Sequence, residues 1–212
     1  MRVLLVTAED TDARSRAELP WRFLDNAEKL NPTAESVAHD ALGAAPAWIE
    51  QVRAYGGQRH PGASDVSLAY AGLVSANRGE GGGAEGRGGG GIAAKGGEWR
   101  PVERLPPLAT RQRAMVNDAL VMLRDRIEIA PVAFHLLPRA FTLSQLQEVY
   151  ELLLGRALHK ASFRRALQGA RLVRPLDEWR SAGRGRPARL YRFAPARRHG
   201  GKRSARFDVL KT

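Results

Sequence analysis

The order of predicted elements in the last third of the chain constrains its fold more than any other feature. Thr142-Leu143-Ser144-Gln145 matches a capping box, in which the Thr hydroxyl and the Gln side chain each accept the other residue's backbone amide. Apolar residues follow at helical spacing, and Gly155 is placed to end this helix in a left-handed cap. A second helix is predicted at about residues 160–172, and predicted strands at Val173–Trp179 and Ala188–Phe193 flank an Arg-Gly turn. The region is therefore predicted to contain two helices followed by an antiparallel hairpin.

Positive charge is concentrated in the same part of the chain. Residues 1–100 carry 11 Lys and Arg against 13 Asp and Glu, whereas residues 101–212 carry 23 against 9. From Arg156 to Arg206 there are 16 basic residues and two acids, Asp177 and Glu178. This asymmetry indicates a basic module that binds polyanions, joined to a near-neutral globular part. A solvated basic surface would give the same count, so the pattern of residues has to decide.

The second predicted helix has an almost purely cationic polar face. Phe163 and Leu167 belong to its apolar face. Lys160, Arg164, Gln168 and Arg171 lie on the opposite side at spacings of three and four. Such a helix suits a DNA groove. Helix, helix and hairpin is also the element order of a winged helix-turn-helix, in which a helix enters the major groove and the wing contacts phosphates or the minor groove. The alternative is an ordinary basic surface helix with a loose hairpin.

The residues predicted to contact DNA are polar side chains of the second helix and of the hairpin: Lys160, Ser162, Arg164, Arg165, Gln168, Arg184, Arg186 and Arg189. Glycines beside Arg184 and Arg186 would let the wing backbone approach the duplex closely. The stretch Arg197–Arg206 adds five basic residues without an apolar pattern. They are predicted to form a disordered tail that contributes salt-sensitive affinity.

The first hundred residues have the signals of a mixed domain. Strands are predicted at Val3–Thr7, Trp48–Tyr55, Val66–Val74 and Trp99–Val102, whereas Ala8–Glu18 is predicted to be a loop. Leu19-Pro20-Trp21-Arg22-Phe23 is predicted to be a short strand or a turn. A helix is predicted to begin at Asn31-Pro32, with Asn as the N-cap, and to end at Gly43.

A glycine tract interrupts this domain. Eleven of the 22 glycines lie between Gly79 and Gly97, so residues 78–97 are predicted to be a flexible insertion. A phosphate-binding glycine loop is the functional alternative for this tract, but the tract lacks the Gly-Lys-Ser/Thr ending of such a loop.

Composition narrows the chemistry further. The chain contains no cysteine, which excludes disulfides and thiolate metal sites and fits a cytoplasmic protein. No apolar run approaches the ~20 residues needed to span a bilayer, so no membrane association is expected. The five histidines share no ligand spacing, and neither a metal site nor a cofactor is predicted.

Two stretches of the C-terminal region carry a family resemblance. Leu137-Pro138-Arg139-Ala140-Phe141-Thr142-Leu143-Ser144-Gln145-Leu146-Gln147 and Gly183-Arg184-Gly185-Arg186-Pro187-Ala188-Arg189-Leu190-Tyr191-Arg192-Phe193 resemble the winged helix of the Nudix-related transcriptional regulators, the NrtR family. Leu19-Pro20-Trp21-Arg22-Phe23-Leu24 stands where that family has Leu-Pro-Gly-Gly-Phe-Val. Weaker N-terminal motifs follow in the family's order: Trp48–Val52, Ser67–Tyr70, Trp99–Val102 and Leu105–Ala109.

The resemblance implies an α+β chain, in which a Nudix-like α/β/α sandwich precedes a winged helix-turn-helix. Members of the family are typically dimeric repressors, many of which regulate NAD-related genes and respond to ADP-ribose or related nucleotides. The expected partners are therefore a palindromic double-stranded DNA operator, a second copy of the chain and a nucleotide effector. The predicted domains are residues 1–109 with the insertion at 78–97, residues 110–193, and the tail at 194–212.

The catalytic Nudix box, G-x5-E-x7-R-E-U-x-E-E-x-G-U with U apolar, is degenerate in this chain. In the order of the motif's defining positions, the chain has Arg22, Glu28, Ser36, Val37, Asp40, Ala41 and Gly43. Val37 and Ala41 replace glutamates that would hold a divalent metal, and neither side chain can coordinate a hard cation. No hydrolase activity is predicted, and the ligand-binding residues remain unassigned.

Two alternatives stay open from the sequence. One is a Nudix hydrolase that acts on ADP-ribose or a related nucleoside diphosphate derivative. The other is a DNA-binding protein without ligand response, whose first domain is a dimerisation scaffold. The family also has a strand before Val3–Thr7; either the sandwich lacks this strand or the sequence is truncated.

Overall fold

The computed structural model describes residues 1–8, 16–57, 65–75, 97–181 and 187–194. The chain forms two compact units, Met1–Val121 and Met122–Thr212. Residues 78–96 of the insertion predicted at 78–97, the predicted contact residues Arg184 and Arg186, and residues 195–212 of the predicted tail lie outside the described residues. Within the described ranges, no helix is both long and apolar enough to cross a membrane.

Unit 1 is built from two small antiparallel sheets and two helices. Its elements are β1 (Arg2–Ala8), β2 (Arg16–Glu18), α1 (Leu30–Leu42), β3 (Trp48–Gly56), β4 (Val66–Leu73), β5 (Gly97–Pro101) and the first part of α2 (Thr110–Ile129). The strand order is β2-β1-β5 in one sheet and β3-β4 in the other. The four strands predicted from sequence are present, with ends shifted by one or two residues.

Strand β1 is covered on both faces. Successive side chains of a strand point to opposite faces, and both Leu4 and Leu5 are buried. Leu4 packs with Ala41 and Leu42 of α1, and Trp99 of β5 packs against the same cluster. Helix α1 therefore packs on the Leu4 face of this sheet.

Two local predictions in unit 1 are wrong because pairing with β1, which is distant in sequence, determines the structure of the residues concerned. Residues Arg16–Glu18 form a strand rather than a loop, since they pair with β1 in the register Val6↔Glu18. Gly97 belongs to β5 rather than to the insertion, and it pairs with Val6. A Cβ at Gly97 would lie 2.7 Å from the Leu5 carbonyl oxygen, so the close strand approach requires glycine there.

Helix α1 starts earlier than predicted. Its N-cap is Lys29, which makes no side-chain cap hydrogen bond. Asn31, the predicted cap, instead accepts a hydrogen bond from the Tyr70 hydroxyl at 2.9 Å. The end of the helix is as predicted, since Gly43 has φ 68° and its amide donates to the His39 carbonyl.

Residues 19–25 form neither a strand nor a helix. The backbone amide of Leu19 donates to the side-chain oxygen of Gln112, a fully buried residue of α2. A side chain of α2 therefore satisfies this backbone amide in a segment that was predicted to be a short strand or a turn, and the pattern of the segment alone could not reveal it.

Unit 2 contains helices packed against a three-stranded sheet. Its elements are the last part of α2, a 3-10 helix (Val132–Leu136), β6 (Phe141–Thr142), α3 (Leu143–Leu154), α4 (Lys160–Ala170), β7 (Val173–Arg180) and β8 (Ala188–Phe193). The sheet order is β6-β8-β7. The two helices and the hairpin follow the sequence prediction, whereas β6 was not predicted.

The core of unit 2 is aromatic and aliphatic. Tyr150 of α3 and Phe163 of α4 are buried, with ring centroids 5.4 Å apart in an edge-to-face arrangement. Phe134 lies 4.4 Å from Phe193 and 5.8 Å from Phe141, centroid to centroid. These contacts join the 3-10 helix to the sheet.

The capping box at the start of α3 also joins that helix to the sheet. The Thr142 hydroxyl accepts the Gln145 amide at 3.1 Å, and the Gln145 side chain accepts the Thr142 amide at 2.9 Å. Thr142 is at the same time a residue of β6, paired with Leu190 of β8. One residue therefore fixes both the start of α3 and the position of the hairpin strand β8.

Candidate nucleic-acid interface

Helix α4 has a buried apolar side and an exposed polar side. Phe163 and Leu167 are 1% and 0% exposed. The exposed side holds the predicted contact residues Lys160, Arg164, Arg165 and Gln168. No acidic side chain pairs with these three cations in the part of the chain that the structure describes. The sequence-predicted cationic face of this helix is therefore free to meet a polyanion.

Ser162 belongs to the cap of α4. His159 is the N-cap residue, and its Nδ1 accepts the Ser162 amide at 3.5 Å. The Ser162 hydroxyl oxygen lies 3.2 Å from the same nitrogen. Ser162 is exposed, so a phosphate contact from its hydroxyl remains a proposal beside this structural role.

Arg189 is held inside the hairpin rather than extended from it. Its Nε donates to the Leu176 carbonyl at 2.8 Å, and its Nη2 lies 2.9 Å from a carboxylate oxygen of Asp177. Its guanidinium also lies over the Trp179 ring, 6.0 Å from the centroid. These contacts bridge the shift in register between Pro175 and Trp179, so Arg189 shapes the wing and is only partly exposed.

A groove opens between α4 and the β7–β8 hairpin. Its volume is about 470 Å³, and its floor is apolar, with Leu143, Leu167 and Tyr191 among the lining residues. Arg164 and Gln168, two of the predicted contact residues, line it together with Arg171, Arg174 and Arg189. The groove therefore continues the cationic face of α4.

Arg171 and Arg174 were not in the predicted contact set. Arg171 was placed on the cationic face by helical spacing, but it ends the helix as its C-cap, and Arg174 follows in β7. The missed signal is the absence of glycine after Ala170, where a helix that ends in a left-handed cap usually has one.

In unit 1, the Nudix-box positions are occupied by side chains that do not form a metal site. Glu28 is bound by Arg22, whose two terminal nitrogens lie 2.6 and 2.9 Å from its two carboxylate oxygens. This pairing lowers the pKa of Glu28 below its usual value. Val37 is half-buried and Ala41 is buried, while Asp40 is exposed and lies 3.5 Å from Ser36.

The donor set therefore does not fit a divalent cation. The Glu28 carboxylate already has a guanidinium partner, and Val37 and Ala41 carry hydrocarbon side chains. Among the described residues, no group of three His, Cys, Asp or Glu side chains is arranged to hold a metal ion.

The fold and this surface define a class of protein: a transcriptional regulator that binds DNA through a C-terminal winged helix. The sequence of elements is that of the winged helix, and the exposed face of α4 has the charge such a domain needs.

The comparisons with known proteins place the chain within this class. Residues 133–193 match the NrtR DNA-binding winged helix domain. The chain is 28% identical, over 201 residues, to the ADPR responsive transcriptional repressor NtrR of Acinetobacter baylyi, covering 92% of this chain and 76% of that protein. The C-terminal unit thus matches the NrtR DNA-binding winged helix domain over residues 133–193, and the resemblance predicted from sequence is confirmed.

Solved structures support the same assignment for the fold. The crystal structure of Shewanella oneidensis NrtR complexed with a 27mer DNA has a TM-score of 0.72 and 27% identity, covering 92% of this chain and 87% of that chain. A second crystal structure of Shewanella oneidensis NrtR gives a TM-score of 0.71 with the same identity and coverage. The α+β architecture, a Nudix-like unit followed by a winged helix, is therefore confirmed.

Proposed function

We propose that this regulator binds a double-stranded DNA operator through α4 and the β7–β8 wing. The observation that supports this site is the exposed, unpaired cationic face of α4, whose opposite side is buried in the core of unit 2. Lys160, Arg164, Arg165 and Gln168 reach the bases or the adjacent phosphates. Arg184 and Arg186 at the wing tip supply further phosphate or minor-groove contacts.

A double substitution tests the assignment. Operator-containing duplexes are first selected from a random-sequence pool with the wild-type protein. Arg164→Ala with Arg165→Ala should abolish binding to the selected duplex while leaving the thermal transition in place, because both side chains are exposed. The matched control is Arg2→Ala with Arg104→Ala, which removes the same charge from exposed positions of unit 1. Unchanged affinity in the α4 double variant would refute the interface.

The Nudix-like unit is proposed to bind a nucleotide of the ADP-ribose type without cleaving it. Its support is the relative from Acinetobacter baylyi, which is named an ADPR responsive repressor. Titration calorimetry with ADP-ribose should show binding, and ADP-ribose should release the selected duplex. If neither occurs, unit 1 is a scaffold without ligand response.

Loss of hydrolysis is a separate proposal, which rests on Val37, Ala41 and the Arg22–Glu28 pair. Incubation with ADP-ribose and Mg²⁺ or Mn²⁺ should give no AMP above a buffer control. AMP production by the purified chain would favour the hydrolase alternative.

A homodimer is proposed because the resemblance implies a dimeric regulator and a palindromic operator needs two copies of the winged helix. Light scattering should give twice the 23.2 kDa chain mass. A monomer at the concentrations used for DNA binding would contradict it.

A further inference from the structure

The backbone at the end of α4 is unusual. Arg171 has φ 50° and ψ 37°, and it is the one non-glycine residue with positive φ among the residues that the structure describes. The C-caps of α1 and α3, Gly43 and Gly155, reach the same left-handed region with glycine. A side chain with a Cβ is strained there, and strain that persists suggests a function for the side chain.

The Arg171 side chain lines the groove between α4 and the hairpin, where other cations also converge. Arg164 and Arg174 line the same groove, and no acidic residue is among its lining residues. In the described part of the chain, none of these three arginines forms an ion pair. Like charges that share one groove repel one another unless an anion occupies it.

The hairpin contains a second unfavourable arrangement beside this groove. Arg174 of β7 is directly opposite Arg192 of β8 in the antiparallel register, and both side chains are exposed. Like charges directly opposite each other on neighbouring strands are destabilising. Strain at Arg171 and repulsion at Arg174 are two independent costs of keeping arginines at these positions. Negative charge in the groove would relieve the repulsion, whereas the strain is a separate cost of having a side chain at Arg171.

We propose that this groove binds a phosphate of the DNA backbone, with Arg171 and Arg174 as its principal contacts. The inference rests on the proposed DNA-binding function and adds a site to it. Arg164 and Gln168 belong to both the groove and the exposed face of α4, so one duplex can meet both surfaces. A backbone contact holds the helix in register without reading sequence.

The test is Arg171→Gly, because glycine removes the charge and the strain together. Binding of a mixed-sequence 30-base-pair duplex and of the selected duplex is measured by fluorescence anisotropy from 50 to 200 mM salt. The slope of log affinity against log salt should become shallower by about 0.9, so that the wild type loses about 3.5-fold more affinity than the variant over this range. The thermal transition should stay in place or rise, since glycine is preferred in this conformation.

Two further variants separate charge from backbone. Arg171→Lys should keep the wild-type salt slope, whereas Arg171→Asn, which tolerates the left-handed region, should behave like Arg171→Gly. A wild-type salt slope for Arg171→Gly and Arg171→Asn would overturn the groove assignment. If that result accompanied loss of binding in the Arg164→Ala, Arg165→Ala protein, the proposed function would stand without this site.

Discussion

Replacing Thr142 with Ala should loosen the DNA-binding unit at the joint between α3 and the wing. The Thr142 hydroxyl accepts the backbone amide of Gln145, and the residue is 9% exposed. Because water has little access to this site, the amide loses its partner in the variant and gains no equivalent one. The same residue pairs with Leu190 of β8, so the damage extends to the hairpin.

The expected loss of stability in Thr142→Ala follows from the loss of the N-cap hydrogen bond. Loss of a Thr N-cap costs about 1 kcal/mol, within a range of roughly 0.5–2. The reciprocal bond from Thr142 to the Gln145 side chain uses backbone atoms of Thr142 and remains available, but Gln145 also accepts a weaker bond from Arg180 at 3.4 Å. A local loss of about 1 kcal/mol would reduce amide protection about fivefold.

Hydrogen exchange of the full chain measures this loss of amide protection directly. Peptides that cover α3 and β8 should exchange about fivefold faster in Thr142→Ala, while peptides from α1 and β3 should be unchanged. Thr142→Ser is the matched control, because Ser retains the hydroxyl and is an equally good N-cap.

Equal exchange in Thr142→Ala and Thr142→Ser would show that the hydroxyl does not hold the joint. Faster exchange throughout both units would also contradict the reasoning, because it would place the effect on the whole protein rather than on the cap.

Two further predictions concern ion pairs in the two units. Arg189→Ala should speed hydrogen exchange in β7 and β8, because it removes the bonds to Leu176 and Asp177. Asp177→Asn should have a smaller effect, since that carboxylate is exposed. Equal effects of the two substitutions would argue against the bond to the Leu176 carbonyl as the main contribution. The pKa of Glu28 is held below 4.5, so its pairing with Arg22 stabilises unit 1 above that pH and is lost as the pH falls through the folded pKa. Carboxyl-carbon NMR titration should show the Glu28 pKa rising in Arg22→Gln, and an unchanged value would exclude the guanidinium as the cause.

Signals that depend on residues a few positions apart were predicted well from the sequence. The capping box at Thr142 and Gln145, the glycine caps at Gly43 and Gly155, and the paired strands β7 and β8 are all present. Each depends on contacts within one helical turn or across one hairpin. The geometry of such contacts is nearly independent of the rest of the fold.

Signals that needed a distant partner were missed or misplaced. Asn31 looks like an N-cap, but Tyr70 of β4 engages its side chain and the helix begins at Leu30. The short strand β6 exists because β8 pairs with it, and two residues carry no periodic pattern of their own. Arg189 resembles its neighbouring arginines in sequence, yet Leu176 and Asp177 on the facing strand take up its guanidinium.

The sequence by itself determined the helix, helix and hairpin order of the C-terminal unit, the cationic face of α4 and the hydrocarbon side chains at Val37 and Ala41, because all three depend only on residue type and spacing. The tertiary structure decided which cations are free. In the folded chain, Arg189 is hydrogen-bonded to the Leu176 carbonyl within the hairpin. Arg171 and Arg174 line one groove together with Arg164. The physical reason is that a side chain's availability depends on what the folded chain places next to it, and those neighbours come from distant positions in the sequence.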